Sequence, residues 1–382
     1  MIDTVTLIII IICAVLFLTT ILSLLLNPFF RRVSISEDPT ESDTHPRLTI
    51  LVVGSDCGDN LRRNIPQIMS QQYDGGFDVV IVTGHSEDDT EDVVKDLKNR
   101  YPNIYSTFIP DSSRIMSRQK LMITLGVKAS KNEWILLTDY RCHPTSELWL
   151  QSMASACEDD AEIVMGYSNY DDESNDFWRF DRLQTECYLQ RRAQRGKAYR
   201  TASHNLLFRK SVFMQQQGFL HNLVAARGEY DYIVNDIADK TKDNVRVVNN
   251  PESQLEEDSK DKRAWISEQL VAIHTKKHLK HGGGLILQMR TDLFFLYLSV
   301  FLQIAAVVVG CLTKNWIIAI AGAVLFILMV TCRTYMASSR VKMFAADIPA
   351  WKLYLYELRM GFHRLYYYFR YKRSDASDFL RK

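Results

Sequence analysis

Glu133-Trp134-Ile135-Leu136-Leu137-Thr138-Asp139-Tyr140-Arg141-Cys142-His143-Pro144-Thr145-Ser146-Glu147-Leu148-Trp149-Leu150 is the stretch that decides how this chain folds. The apolar run from Trp134 to Leu137 predicts a buried strand that stops at Thr138 and Asp139. Pro144 then predicts a turn before an amphipathic segment that starts near Ser146. An acid at the carboxyl end of a buried strand stands where open α/β sheets place groups that contact ligands. Asp139 and its neighbour Arg141 are therefore the first candidate site residues.

Outward from this stretch, strand and helix patterns alternate. Leu48 to Val53, Phe77 to Val82 and Ile104 to Ile109 read as strands, and Asn60 to Gln72, Asp88 to Tyr101 and Lys120 to Ala129 as helices. That alternation predicts a mostly parallel sheet of βαβ units flanked by helices. Beyond Ser146 it loosens: Ile163 to Tyr167, Asn205 to Arg209 and Val245 to Val248 are strand candidates, and Phe180 to Ala193 and Ile233 to Ala238 are helical. The acidic loop at 171–176 and the run Glu256, Glu257 and Asp258 read as solvated surface.

The apolar residues concentrate in three runs. Val5 to Leu26 is about 22 nearly uncharged residues, enough to cross roughly 30 Å of hydrocarbon as a helix. Leu293 to Cys311 and Trp316 to Cys332 form a second and third run, separated by Leu-Thr-Lys-Asn, which predicts a membrane hairpin. The first run lacks a basic leader and a small-X-small cleavage site, so it reads as a retained anchor. Arg31, Arg32, Lys276, Lys277, Lys280, Arg290, Arg333, Arg340 and Lys342 flank the spans on one side, while the hairpin tip offers only Lys314. The bias predicts a cytoplasmic domain tethered at both ends in a plasma or inner membrane. The expected order is an anchor over 1–30, a polar linker over 31–46, an α/β domain over 47–285 and a hairpin over 290–335. An aromatic and basic tail over 345–382 is expected to lie in the headgroup layer.

Composition excludes several classes. The 46 basic and 45 acidic side chains give a net charge of +1, so no global field points to nucleic acid. Seven cysteines form no CxxC pair, so neither a zinc site nor a disulfide framework is expected. His85, His143, His204 and His274 lack metal-ligand spacing and read as non-ligands. Val53-Gly54-Ser55-Asp56-Cys57-Gly58 lacks the glycine spacing of a dinucleotide turn. Gly282-Gly283-Gly284 reads as a flexible joint.

Five segments, in order, resemble a membrane-bound family 2 glycosyltransferase with the GT-A fold. The Asp139 stretch resembles that family's Asp-X-Asp region. Ile81-Val82-Thr83-Gly84-His85-Ser86-Glu87-Asp88-Asp89-Thr90 is similar to its nucleoside loop, and Lys120 with Thr124-Leu125-Gly126 to the helix before the Asp-X-Asp strand. Asn205 to Ser211 resembles its acceptor-side strand, and Gly228 to Asn235 the segment that carries the catalytic acid. The resemblance implies Glu229 and Asp231 as catalytic acids, and Asp139, Arg141, Lys120 and Asp56 as nucleotide-sugar-binding residues. It also implies a divalent cation, Mg or Mn, for which Asp139 would be a ligand.

The chemical positions depart from the family. Arg141 replaces the second acid of Asp-X-Asp, Thr83 and Gly84 replace paired acids, Tyr230 interrupts the acids at 229–231, and Glu268-Gln269-Leu270-Val271 stands where Gln-X-X-Arg is expected. Two readings follow. In one, the chain is a transferase that moves a sugar from a nucleotide-diphosphate donor to a lipid-linked or polysaccharide acceptor, with the Arg141 guanidinium in the cation's place. In the other it is a possible pseudoenzyme, a scaffold among the proteins of a surface-polysaccharide assembly. The short hairpin argues against a synthase that extrudes its own polymer. Each site residue also has a plain alternative. Asp139 could cap the local turn or the helix near Ser146, Arg141 could be a solvated loop cation or the partner of a nearby acid, Lys120 could be an exposed helix lysine, and Glu229 and Asp231 could complement a helix dipole.

Overall fold

The computed structural model describes residues 4–30, 45–109, 117–223, 225, 227–238, 243–259, 261–280, 282–344 and 346–375. Arg31, Arg32 and the expected linker up to residue 44 lie outside the described residues. Contacts divide the chain into two units, residues 1–32 with 282–366 and residues 33–281 with 367–382. Helix α1 (Thr4–Leu26) opens the first.

The second unit is the α/β domain. Its elements are β1 (Leu48–Gly54), α2 (Gly58–Met69), β2 (Phe77–Thr83), α3 (Thr90–Arg100), β3 (Ile104–Phe108), α4 (Arg118–Ala129), β4 (Trp134–Asp139), β5 (Cys142–Pro144), α5 (Trp149–Ala154) and β6 (Ile163–Met165). There follow β7 (Ser168–Tyr170), α6 (Asp176–Ala193), β8 (Asn205–Arg209), α7 (Lys210–Gln215), α8 (Glu229–Ile237), β9 (Val245–Val247), β10 (Leu255–Glu257) and α9 (Lys262–Lys276).

Seven strands form the main sheet in the order β3-β2-β1-β4-β8-β6-β9. β1, β2, β3 and β4 run parallel, with Val53 level with Asp139, while β8 is antiparallel to β4 and β6. Because helices cover both faces, β1 and β4 are buried along their whole length, which explains their unbroken apolar sequences. The chain order reverses between β1 and β4. The crevice outside the carboxyl ends of those two strands is the place where such sheets hold ligands.

A second sheet of three short strands, β5-β10-β7, stands beside this rim. It was not legible beforehand, because three-residue strands are too short to show an alternation. Pro144, expected in a turn, ends edge strand β5 instead; proline is tolerated there because its missing N–H faces no partner strand. β10 pairs antiparallel with β5 and parallel with β7, so Glu257 stands level with both Cys142 and Tyr170. Glu257, expected on the solvated surface, is fully buried.

In the first unit, α10 (Gly283–Leu312) and α11 (Trp316–Met343) follow, and α12 (Ala350–Arg373) belongs to it as far as Tyr366. By length and composition, α1, α10 and α11 are apolar enough to cross a membrane. Gly283 and Gly284 are not a joint but the first turn of α10, a position where glycine weakens a helix least. α10 and α11 pack through small residues. A Cβ on Gly310 would lie 2.6 Å from the Ala319 nitrogen, and one on Gly322 would lie 2.9 Å from the Gln303 carbonyl.

A buried arginine joins all four helices of this unit. The Arg333 Nε donates to Glu357 at 2.5 Å, Nη1 to the Ser23 carbonyl at 2.7 Å, and Nη2 to Asp292 at 3.2 Å. Asn27 donates to the other oxygen of Glu357 at 3.0 Å. Removing one member of such a buried set leaves the others uncompensated, at a cost of about 3–5 kcal/mol. Arg333→Ala should therefore lower the unfolding midpoint of the detergent-solubilised chain sharply. Arg333→Met combined with Glu357→Gln and Asp292→Asn should recover much of it. Equal midpoints for wild type and Arg333→Ala would show that the set carries no stability.

Candidate active site

The rim between β1 and β4 is built from the turns that follow the two strands. After β1, Asp56 adopts a positive φ of 49°, and this bend turns its backbone N–H to the Ser86 hydroxyl at 3.1 Å. Its Oδ1 accepts from the Glu87 N–H at 2.7 Å, tying the loop after β1 to the loop after β2. Cys57 and Gly58 continue the tie through Thr90 and Asp88. Tyr140 closes the crevice from the β4 side. A Cβ on Gly54 would come within 2.5 Å of the Tyr140 ring, so only glycine fits there.

Asp139 is buried and holds Arg141 tightly. Its Oδ1 accepts from the Arg141 backbone N–H at 3.1 Å and from Nε at 2.8 Å, and Oδ2 accepts from Nη2 at 3.3 Å. Burial by itself would raise the Asp139 carboxyl, but the Arg141 guanidinium, followed by His204, holds it below its ordinary range. Nη2 of Arg141 also lies 3.2 Å from Glu257 and 4.0 Å from Glu268.

Glu257 is the hub. Its second oxygen accepts from Arg182 at 3.0 Å and faces His204 Nδ1 at 3.1 Å. Arg182 stacks its guanidinium 4.1 Å from the centre of the Tyr170 ring, and the Tyr170 hydroxyl donates to Glu268 at 3.0 Å. The Arg141 guanidinium is thus fixed on its Nε and Nη2 edge. Nη1 has no partner among the described residues, and the side chain keeps about a fifth of its surface exposed.

The acids at the start of α8 point apart. Gly228 caps this helix with φ 97°, and a Cβ there would collide with Thr275 at 2.6 Å. The Glu229 oxygens accept from the Ser117 hydroxyl at 3.4 Å and the Gly228 N–H at 3.1 Å. Asp231 pairs with Arg200 at 3.2 Å. Burial raises the pKa of both acids above the ordinary carboxylate range, opposed by Arg227 and Lys120 for Glu229 and by Arg200 and Lys276 for Asp231. Tyr230, between them, packs edge-on against His204 with ring centres 4.9 Å apart. Its buried hydroxyl has no hydrogen-bond partner among the described residues.

The structure thus brings Asp139 and Arg141 together and places Asp56 on the neighbouring loop. Lys120 is engaged elsewhere. Its ammonium donates to the Asn222 carbonyl at 2.6 Å, the Asn222 side chain at 3.0 Å and the Ala225 carbonyl at 2.6 Å, and it lies 4.5 Å from the centre of the Tyr232 ring. It anchors the chain that leads into α8. Glu257, Arg182, His204 and Glu268 were missed by sequence reasoning. The one available signal was Glu268 in the expected Gln-X-X-Arg segment.

Magnesium or manganese does not fit Asp139 and Arg141. Magnesium and manganese need several hard oxygen donors, yet both Asp139 oxygens hold Arg141, and a guanidinium stands where a second carboxylate would be. Cys142, His204 and Glu257 place ligand atoms within 4.8 Å of one another, a geometry that could hold a metal. However, Arg141 and Arg182 already neutralise Glu257, and thiolate and imidazole suit softer ions.

Residues 49–216 match the family model for glycosyl transferase family 2. Within the α/β domain, the matched segment runs from β1 to the residue after α7 and carries the glycosyl transferase family 2 pattern. No curated protein matches the chain. Among solved structures, the chain is similar to the mannosyltransferase PcManGT from Pyrobaculum calidifontis in complex with GDP-Man and Mn2+. The TM-score is 0.53 at 15% identity, covering 94% of this chain and 98% of that one. It also matches TarS of S. aureus with a TM-score of 0.41 at 11% identity, covering 65% of this chain and 43% of that one. The first likeness shows the fold, which is GT-A.

Burial lowers the Lys120 pKa to about 8 from its ordinary 10.5, opposed by Glu229 and Asp236. The unfolded chain therefore binds this proton more tightly, and the Lys120 contribution to stability rises with pH between about 8 and 10.5. Denaturation midpoints of wild type and Lys120→Met should diverge in favour of wild type across that window. A constant difference would contradict the assignment.

Proposed function

We propose that this glycosyltransferase moves a sugar from a nucleoside-diphosphate donor to a lipid-linked or polysaccharide acceptor. The working domain would lie on the cytoplasmic face of a plasma or inner membrane, tethered by α1 and by the α10–α11 hairpin. The observation that carries the reading is Arg141, a guanidinium clamped through Nε and Nη2 at the switch point between β1 and β4, with about a fifth of the side chain exposed. A fixed planar cation suits an oxygen-rich diphosphate. It needs no reorganisation when charge builds on the departing nucleoside diphosphate. Asp139 then serves to orient Arg141, and Asp56 holds the nucleoside loop. The PcManGT complex with GDP-Man supports a donor of this class.

The reaction needs a base. The acceptor hydroxyl attacks the anomeric carbon, the bond to the diphosphate breaks, and the hydroxyl proton passes to a carboxylate. This reading assigns that role to Asp231, which pairs with Arg200, or to Glu229, beside Ser117 before α4. Their raised pKa values make either a better base than an ordinary surface acid. The transfer proceeds in this reading without a step through a bound metal.

One observation favours the scaffold reading. Glu257 already forms ion pairs with Arg141 and Arg182 inside the protein, as in a site relieved of catalysis.

Calorimetry of the full chain in detergent, with GDP- and UDP-sugars in Mn2+ or in EDTA, separates the two. Donor binding that persists in EDTA and weakens at least about tenfold in Arg141→Ala supports the transferase, since a charge-assisted pair is worth about 1.5–3 kcal/mol. Absence of binding in either buffer leaves the scaffold.

With turnover in hand, Asp231→Asn or Glu229→Gln should cost about 100-fold or more in kcat with circular dichroism unchanged. The acid limb of the wild-type pH profile should lie above the usual carboxylate range, because the base works only when deprotonated and burial raises its pKa. If both variants turn over normally, neither acid is the base.

A further inference from the structure

Tyr140 stands between Asp139 and Arg141, and its backbone is held from both sides. The Asp139 carboxylate accepts the Arg141 N–H at 3.1 Å, and Asn64 Nδ2 donates to the Tyr140 carbonyl at 3.0 Å. From this fixed backbone the ring leans onto β1. A Cβ on Gly54 would lie 2.5 Å from its Cδ1 and 3.1 Å from its Cε1, with the Cys57 sulfur also at 3.1 Å. The rest of the residue is not enclosed. Tyr140 is half-buried, and its hydroxyl has no hydrogen-bond partner among the described residues. Beside it the Arg141 guanidinium lies 5.5 Å from the ring centre.

A fixed cation next to an aromatic ring suits a ligand that joins an anion to a flat group. The surroundings tell the two ends of such a ligand apart. From Arg141, contacts run through Glu257 and His204 to Tyr230, between the two acids of α8. From Tyr140 they run to Gly54 and Cys57, and so to the loops that Asp56 and Ser86 tie together. A sugar that meets an acid of α8 therefore leaves the nucleoside of its donor on the side of the ring.

We propose that Tyr140 is a donor-specificity residue whose ring carries the nucleoside while Arg141 takes the diphosphate. This rests on the function proposed above and adds the residue that tells a nucleotide from a bare diphosphate. Every nucleobase has a flat face that stacks on an aromatic ring. The ring therefore selects for a nucleoside without fixing which one. A ring kept only to fill the crevice could be replaced by any apolar side chain of similar size.

The test is calorimetry of the full chain in detergent and EDTA, with UDP, GDP and inorganic pyrophosphate as probes. Wild type should bind the better of the two nucleotides about tenfold more tightly than pyrophosphate. Tyr140→Leu, which keeps apolar volume against Gly54, should remove that preference and leave pyrophosphate binding unchanged. Tyr140→Phe, which keeps the ring, should retain it. Wild type that binds pyrophosphate as tightly as both nucleotides overturns the proposal without recourse to a variant. So does nucleotide affinity unchanged in Tyr140→Leu but weakened in Arg141→Ala, and that outcome leaves the proposed function intact. Equal loss of nucleotide and pyrophosphate in Tyr140→Leu would show that the ring acts only through Arg141, and overturns the proposal as well. Failure of wild type to bind either nucleotide removes the proposed function and this inference together.

Discussion

The ion pair between Arg141 and Glu257 holds the working end of the α/β domain together. Arg141 follows β4 of the main sheet, and Glu257 ends β10 of the small sheet. Through Arg182 and Glu268 the same contact reaches α6 and α9, and through His204 the turn before β8. Three carboxylates and two guanidinia share a space where none could be left single without a cost of several kcal/mol. The position of each is therefore set by the others, and the rim is organised before any ligand arrives.

That organisation alters the chemistry open to a GT-A rim. A metal ion is a mobile charge, bound with the donor and released with the product. A guanidinium anchored by Asp139 and Glu257 is permanent, and its orientation is fixed along two of its three nitrogens. In the transfer proposed above, such an arrangement would lower reorganisation at the departing diphosphate, while a single delocalised charge would stabilise it less than a divalent ion. Burial of Glu229 and Asp231 works in the complementary direction, making these acids stronger bases. The helical unit uses the same device for a different end: Arg333, buried among Asp292, Glu357 and Ser23, fixes helix positions where apolar packing alone discriminates poorly.

Much of this was legible in the chain itself. The strands from Leu48, Phe77 and Trp134 announce themselves because both faces of a parallel sheet are covered, and an unbroken apolar run has no other use at that length. The three apolar helices follow from hydropathy, although α10 begins ten residues before its apolar run, since helical hydrogen bonding tolerates the polar turns that hydropathy omits. Asp139 and Arg141 stand out in the sequence because strand ends in open sheets carry ligand-contacting groups.

What the sequence could not determine was which distant groups would meet those two residues. Glu257 looked like one acid in a solvated run, yet the pairing of β10 with β5 and β7 buries it among arginines from elements far apart in the chain. Lys120 had the right neighbours for a ligand-binding residue, but the carbonyl oxygens of Asn222 and Ala225 hold its ammonium. Local pattern encodes which residues are strand or helix, because propensity and burial act over a few positions. Charge partners are decided only when strands pair across the fold, since an ion pair depends on distance in space and leaves no period in the sequence.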